Sequence, residues 1–152
     1  MNLKALMVDT KSAWVNYNGL DGFEVEVVNL GREKLINLRK SCIETKFDRK
    51  TKTPMEELNE KKFIAAFTGE TIKGWKGLKF KYLEELMLVD ISGQDPEKEL
   101  DYSAENAELL VSNSSDFDTW LNAVVFDLEN FRGNGNTGTV APAREVSKQL
   151  GV

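Results

Sequence analysis

The sequence predicts an α+β protein, mainly helical, in which an N-terminal β-hairpin packs on a small helical bundle and a flexible tail closes the chain. Three observations lead there. Phe23, Val25 and Val27 alternate with Glu24 and Glu26, the period of a half-buried strand. Phe117, Trp120, Leu121, Val124, Leu128 and Phe131 recur at helical spacing. From Gly133 onward the chain is rich in glycine and asparagine and shows no apolar periodicity. Residues 1–132 therefore form one folded domain, and residues 133–152 a flexible tail.

In chain order, Ala13–Tyr17 and Phe23–Val28 are the two strands of the hairpin. Asn18-Gly-Leu-Asp-Gly22 between them holds both Asn-Gly and Asp-Gly, strong signals for a tight turn. A helix is expected from about Arg32 to Glu44, with Gly31 as a weak N-cap and Leu35, Leu38, Cys42 and Ile36 or Ile43 turned inward. Thr45–Pro54 is polar and basic and reads as a loop anchored by Phe47. A second helix, capped by Asn59, carries Phe63, Ile64, Phe67 and Ile72 and runs towards Gly74.

Lys73–Tyr82 comes next, then an apolar stretch from Leu83 to Ile91 and a turn-rich loop, Ser92–Pro96. Ser103 caps a short helix through Val111. The last helix, Ser115–Phe131, starts on a capping box of Ser115 and Asp118 and stops at Gly133 and Gly135.

At 152 residues the chain suffices for one domain that buries roughly two-thirds of its unfolded surface. Its 41% hydrophobic and 30% charged residues are ordinary for a soluble protein, and no apolar run approaches the ~18 residues of a membrane span. The first residues lack the apolar length of a secretory signal, and the single cysteine, Cys42, suits a reducing cytoplasm.

The net charge of −5 hides an asymmetry. Residues 1–82 carry sixteen Lys and Arg against eleven acids, whereas residues 83–131 carry one lysine, Lys98, against thirteen. The first reading is that the acidic half folds back on the basic half. The second is a two-signed surface for head-to-tail self-association or for a long partner with charged stripes.

Catalysis and metal binding find little support. The chain has no histidine, which removes Ser-His and Cys-His relays and the common zinc ligand sets. The acids from Asp90 to Asp101 do not follow calcium-loop spacing. Gly133-x-Gly135-x-x-Gly138 matches the dinucleotide fingerprint in letters alone, since no βαβ unit surrounds it. No enzyme, cofactor or metal is expected.

The Lys73–Tyr82 block sets Lys73, Lys76, Lys79 and Lys81 among Trp75, Leu78, Phe80 and Tyr82, with no acid. Core packing is its first reading and a partner-binding surface the second. Single-stranded nucleic acid is third, because the chain is net negative.

Several segments resemble the tail assembly chaperones of long-tailed bacteriophages, in their shorter, non-frameshifted form. They are Trp14-Val-Asn-Tyr-Asn-Gly-Leu-Asp-Gly-Phe23 with Glu24-Val-Glu-Val27, Arg32-Glu-Lys-Leu-Ile-Asn-Leu-Arg-Lys40 and Lys46-Phe-Asp-Arg-Lys-Thr51. Trp75-Lys-Gly-Leu78, Tyr82-Leu-Glu-Glu-Leu86 and Ser115-Asp-Phe-Asp-Thr-Trp-Leu121 follow in order. The match rests on their combination within residues 14–131, since no segment is a catalytic signature. Gly31 departs from the serine of relatives, a change that touches helix capping alone.

The resemblance implies a non-enzymatic protein of the host bacterial cytoplasm. It would keep the tape measure protein soluble, promote assembly of the tail tube and be absent from the mature virion. A longer frameshifted form would bring in the tail tube protein, with Gly133–Val152 at the junction. On this reading Trp75, Lys76, Leu78, Phe80 and Tyr82 form the partner-binding face. The competing readings are a structural component of the tail or head–tail junction, and a small phage protein that binds a host enzyme.

Overall fold

The computed structural model describes residues 2–7 and 11–132. The expected tail 133–152, with its glycine stop signals, lies outside these residues. The first element is a 3₁₀ turn, Leu3–Leu6. Strands β1 (Ser12–Asn16) and β2 (Glu24–Val28) form the expected antiparallel hairpin, with Val15 opposite Val25 and Ala13 opposite Val27. These four point into the core, and Phe23 just before β2 is fully buried.

A third strand, β5 (Ile72–Lys76), pairs with the free side of β2, giving the order β1-β2-β5. Apolar spacing alone extends the second helix through Ile72 towards Gly74. Ile72 instead starts the strand, because facing Val27 buries it completely.

Helix α1 (Arg32–Ser41) begins at Gly31 as expected but ends before Ile43. Helix α2 (Glu60–Thr71) is capped by Asn59, whose side chain accepts from the Lys62 amide at 3.0 Å. Between them the expected loop is a second hairpin, β3 (Ile43–Phe47) and β4 (Pro54–Leu58). Ile43, Thr45 and Phe47 alternate with Glu44 and Lys46, a strand period of β-branched and aromatic residues that the polar composition masks. Phe47 is no anchor, since it is 64% exposed.

Helices α3 (Phe80–Leu86), α4 (Ala104–Asn113) and α5 (Ser115–Val125) follow. Ser103 caps α4 as expected, with its hydroxyl accepting from the Asn106 amide at 3.0 Å. The cap of α5 is Ser114 rather than Ser115: its buried hydroxyl accepts from the Phe117 amide at 3.1 Å. The last helix also stops early. It ends at Val125, and a separate 3₁₀ turn, Leu128–Phe131, opens on Asp127, whose carboxylate accepts from the Glu129 amide. The break serves packing, because the Asn130 side chain donates to the Val124 carbonyl and Phe131 turns into the core.

The architecture is thus α+β, with the three-stranded sheet laid against the helices. Helix α5 grips the first hairpin through an aromatic cluster. Tyr17 lies 5.0 Å from Trp120 and 5.5 Å from Phe23 by ring centroids, and Phe117 lies 5.4 Å from Trp120. Burial, followed by the nearby Asp116 carboxylate, raises the Tyr17 phenol above its usual pKa. Among the described residues no helix is long and apolar enough to cross a membrane.

Candidate functional site

The structure divides the residues expected as a partner-binding face, Trp75, Lys76, Leu78, Phe80 and Tyr82, between core and surface. Trp75, Leu78 and Tyr82 are buried, and each has a structural role. The Trp75 indole donates to the Leu100 carbonyl at 2.9 Å, and its ring meets Tyr102 edge-on. The Tyr82 hydroxyl donates to the Asp21 carbonyl at 2.7 Å, tying α3 to the turn of the first hairpin. A buried aromatic needs a partner for its polar end, and both rings find one in the backbone.

Phe80 is half-buried beside Lys98. Lys76 alone is well exposed; it lies 4.8 Å over the Trp14 ring and 3.7 Å from Glu24 on the outer side of the sheet. The five residues therefore do not share a surface. The chain changes from β5 to α3 around Gly77, which sets Trp75 and Lys76 on the strand and Phe80 and Tyr82 on the helix.

Lysines of the block are ion-paired with the acidic half at one residue among those described. Glu97 bridges Lys81 at 2.7 Å and Lys79 at 3.0 Å. Hydrogen bonds from Lys81 and Lys79 hold its carboxyl below the usual glutamate range, and Glu97 in turn raises Lys79. Among the described residues these are the ion pairs that join residues 1–82 to 83–131. Most of the acidic surface is thus left facing solvent.

The strongest candidate site lies elsewhere. A cleft of about 570 Å³ opens where α1 and α2 meet α4 and α5. Leu35, Phe63, Ile64, Phe67, Val111 and Phe126 supply its apolar surface. The sequence places Leu35 on the inward side of the first helix and Phe63, Ile64 and Phe67 along the second helix. Phe67 and Val111 are buried, but Leu35, Phe63 and Ile64 are only half-buried and Phe126 is 42% exposed.

The rim is polar, and its two sides differ. Arg39 stands over the Phe63 ring at 5.4 Å on the α1 side, while Asp118 and Asn122 stand on the α5 side. Ser112, Asn113 and Ser115 close one end. This arrangement can take a row of apolar side chains and align charges of both signs beside it. Phe126 could not be assigned to it from sequence, because the expected helix through Phe131 hides the break that turns this residue outward.

Among the described residues no cluster of three or more His, Cys, Asp or Glu is placed to hold a metal ion. No family model, curated protein or solved structure matches the chain.

Proposed function

We infer that this protein is a tail assembly chaperone that binds the tape measure protein of a long-tailed phage, keeps it soluble and promotes assembly of the tail tube around it. The observation that carries the reading is the half-open apolar cleft between α1, α2, α4 and α5, taken with the family resemblance of the sequence. A tape measure is a long helical protein that exposes apolar stripes until the tube encloses it, and such stripes aggregate in water.

An amphipathic client helix lays its apolar row along Phe63, Ile64 and Phe126, in the manner of helix-in-groove recognition. Arg39 and Asp118, on opposite rims, favour a client with acids along one flank and bases along the other. Nothing in this process calls for covalent chemistry, so the protein leaves unchanged once the tube has replaced it.

Co-expression with the tape measure protein of the same phage tests the reading. The client is expected in the soluble fraction, bound to this protein, and in the pellet when expressed alone. A client that stays insoluble in both cases would refute it.

A further inference from the structure

We propose that the second hairpin is a dimerisation arm, in which β3 pairs antiparallel with β3 of a second copy, centred on Thr45, to make a continuous four-stranded sheet. The inference concerns a surface distinct from the cleft and does not depend on what the cleft binds.

The two sheets treat their edges differently. In the three-stranded sheet, the 3₁₀ turn Leu128–Phe131 packs beside β1, and the segment around Glu99 and Leu100 lies along the chain leaving β5. The β3–β4 hairpin has no third strand on either side among the described residues. An open edge is a template for another strand unless something blunts it.

One of the two edges is blunted. Asn59 donates its amide to the Cys42 carbonyl and Asp48 donates to the Thr53 carbonyl, which fixes the phase of the ladder. Backbone groups of Glu44 and Lys46 therefore face β4, and those of Ile43, Thr45 and Phe47 face outward. On β4 the outward residues are Pro54, Glu56 and Leu58. Pro54 has no N–H to offer, and self-pairing centred on Glu56 would set two carboxylates opposite each other.

The β3 edge is self-complementary. Pairing centred on Thr45 sets Ile43 opposite Phe47 of the second copy, and Glu44 opposite Lys46 of the second copy. By symmetry the same contacts form twice, as a two-fold interface requires. Every outward N–H and C=O of Ile43, Thr45 and Phe47 then finds a partner. Ile43 and Phe47, 43% and 64% exposed in the single chain, cover one another on one face of the sheet. Opposite charges line the other face. A strand reading apolar, acid, neutral, base, apolar pairs with itself in this register only in the antiparallel sense.

Sedimentation across a concentration series provides the test, on the full chain. The wild-type protein is expected to dimerise. Thr45→Pro removes an outward N–H while leaving the inward ladder intact, and should weaken the dimer about tenfold or more with unchanged circular dichroism. Glu44→Lys and Lys46→Glu should each weaken it as well, since like charges then face each other. The double swap should restore it, although it sacrifices the exposed Lys46–Glu57 pair within the hairpin. A wild-type protein that stays monomeric up to about 1 mM would overturn the proposal. So would a dimer indifferent to Thr45→Pro and to the charge variants. Should Thr45→Pro fail to fold, the charge reversal and its rescue still decide the matter.

Discussion

At the scale of single residues, Gly77 is the tightest point in the chain. Its φ is +76°, and a Cβ there would lie 1.9 Å from the Gly22 carbonyl oxygen. The turn of the first hairpin thus rests directly on the backbone that joins β5 to α3, with no room for a side chain. Gly93 has a similar φ of +82° but open space around it. Gly77→Ala should therefore cost about 3 kcal/mol or more, and Gly93→Ala about 1–2 kcal/mol, as read by denaturant unfolding. Equal losses at the two positions would mean that backbone conformation alone, and not the contact with Gly22, matters at Gly77. The same kind of contrast separates the two serines at the start of α5. Ser114→Ala removes the cap and should cost about 1–2 kcal/mol, whereas Ser115→Ala on the exposed first turn should cost no more than a few tenths. Sequence spacing pointed to Ser115 because it lies three residues before an acid. The hydroxyl that caps is one residue earlier, where the side chain is buried against the Phe117 amide.

At the scale of elements, helices with a marked apolar face and the strands of the first hairpin were legible in the sequence, and β3, β4 and β5 were not. Asn59 and Ser103 were found as caps because a short polar side chain before an apolar run has one strong use. The β3–β4 hairpin was missed because it lies mostly exposed among the described residues, so its composition resembles a loop while its period is that of a strand. Strand β5 was missed because Ile72 continues the helical spacing of Phe63, Ile64 and Phe67 and then pairs with Val27 instead. The connection after β5 carries a charge clamp whose effect depends on pH. The Glu97 carboxyl is lowered on folding, so its contribution is present above the ordinary glutamate range and fades as pH falls through the depressed value. Lys79 is raised, so its contribution is present below the ordinary lysine range and fades as pH rises through the raised value. Melting temperatures of wild type and Glu97→Gln should differ slightly between those limits and converge at acid and alkaline extremes. A difference that persists at low pH would assign the effect to packing rather than to charge.

At the scale of the whole molecule, the fold class and the first hairpin could be read from the sequence, and the cleft could not. The basic, aromatic block from Lys73 to Tyr82 drew attention because its residue types suit binding. Its Trp75 and Tyr82 rings are instead taken up by the core, with their polar ends bonded to backbone carbonyls. The cleft arises from the opposite situation. Four helices meet there with more apolar surface than they can cover mutually, a property of their relative placement that no local spacing encodes. A two-fold dimer through β3 would present two such clefts to one long client, and binding at both would raise avidity without any new contact. If the cleft receives the tape measure helix, changing its wall must release the client in co-expression. Phe126→Glu places a charge on the half-exposed wall of the cleft, and Leu88→Glu changes a fully exposed residue that is not among the cleft's lining. Phe126→Glu is expected to send the tape measure protein to the pellet, and Leu88→Glu to keep it soluble. A soluble, bound client with folded Phe126→Glu would contradict it.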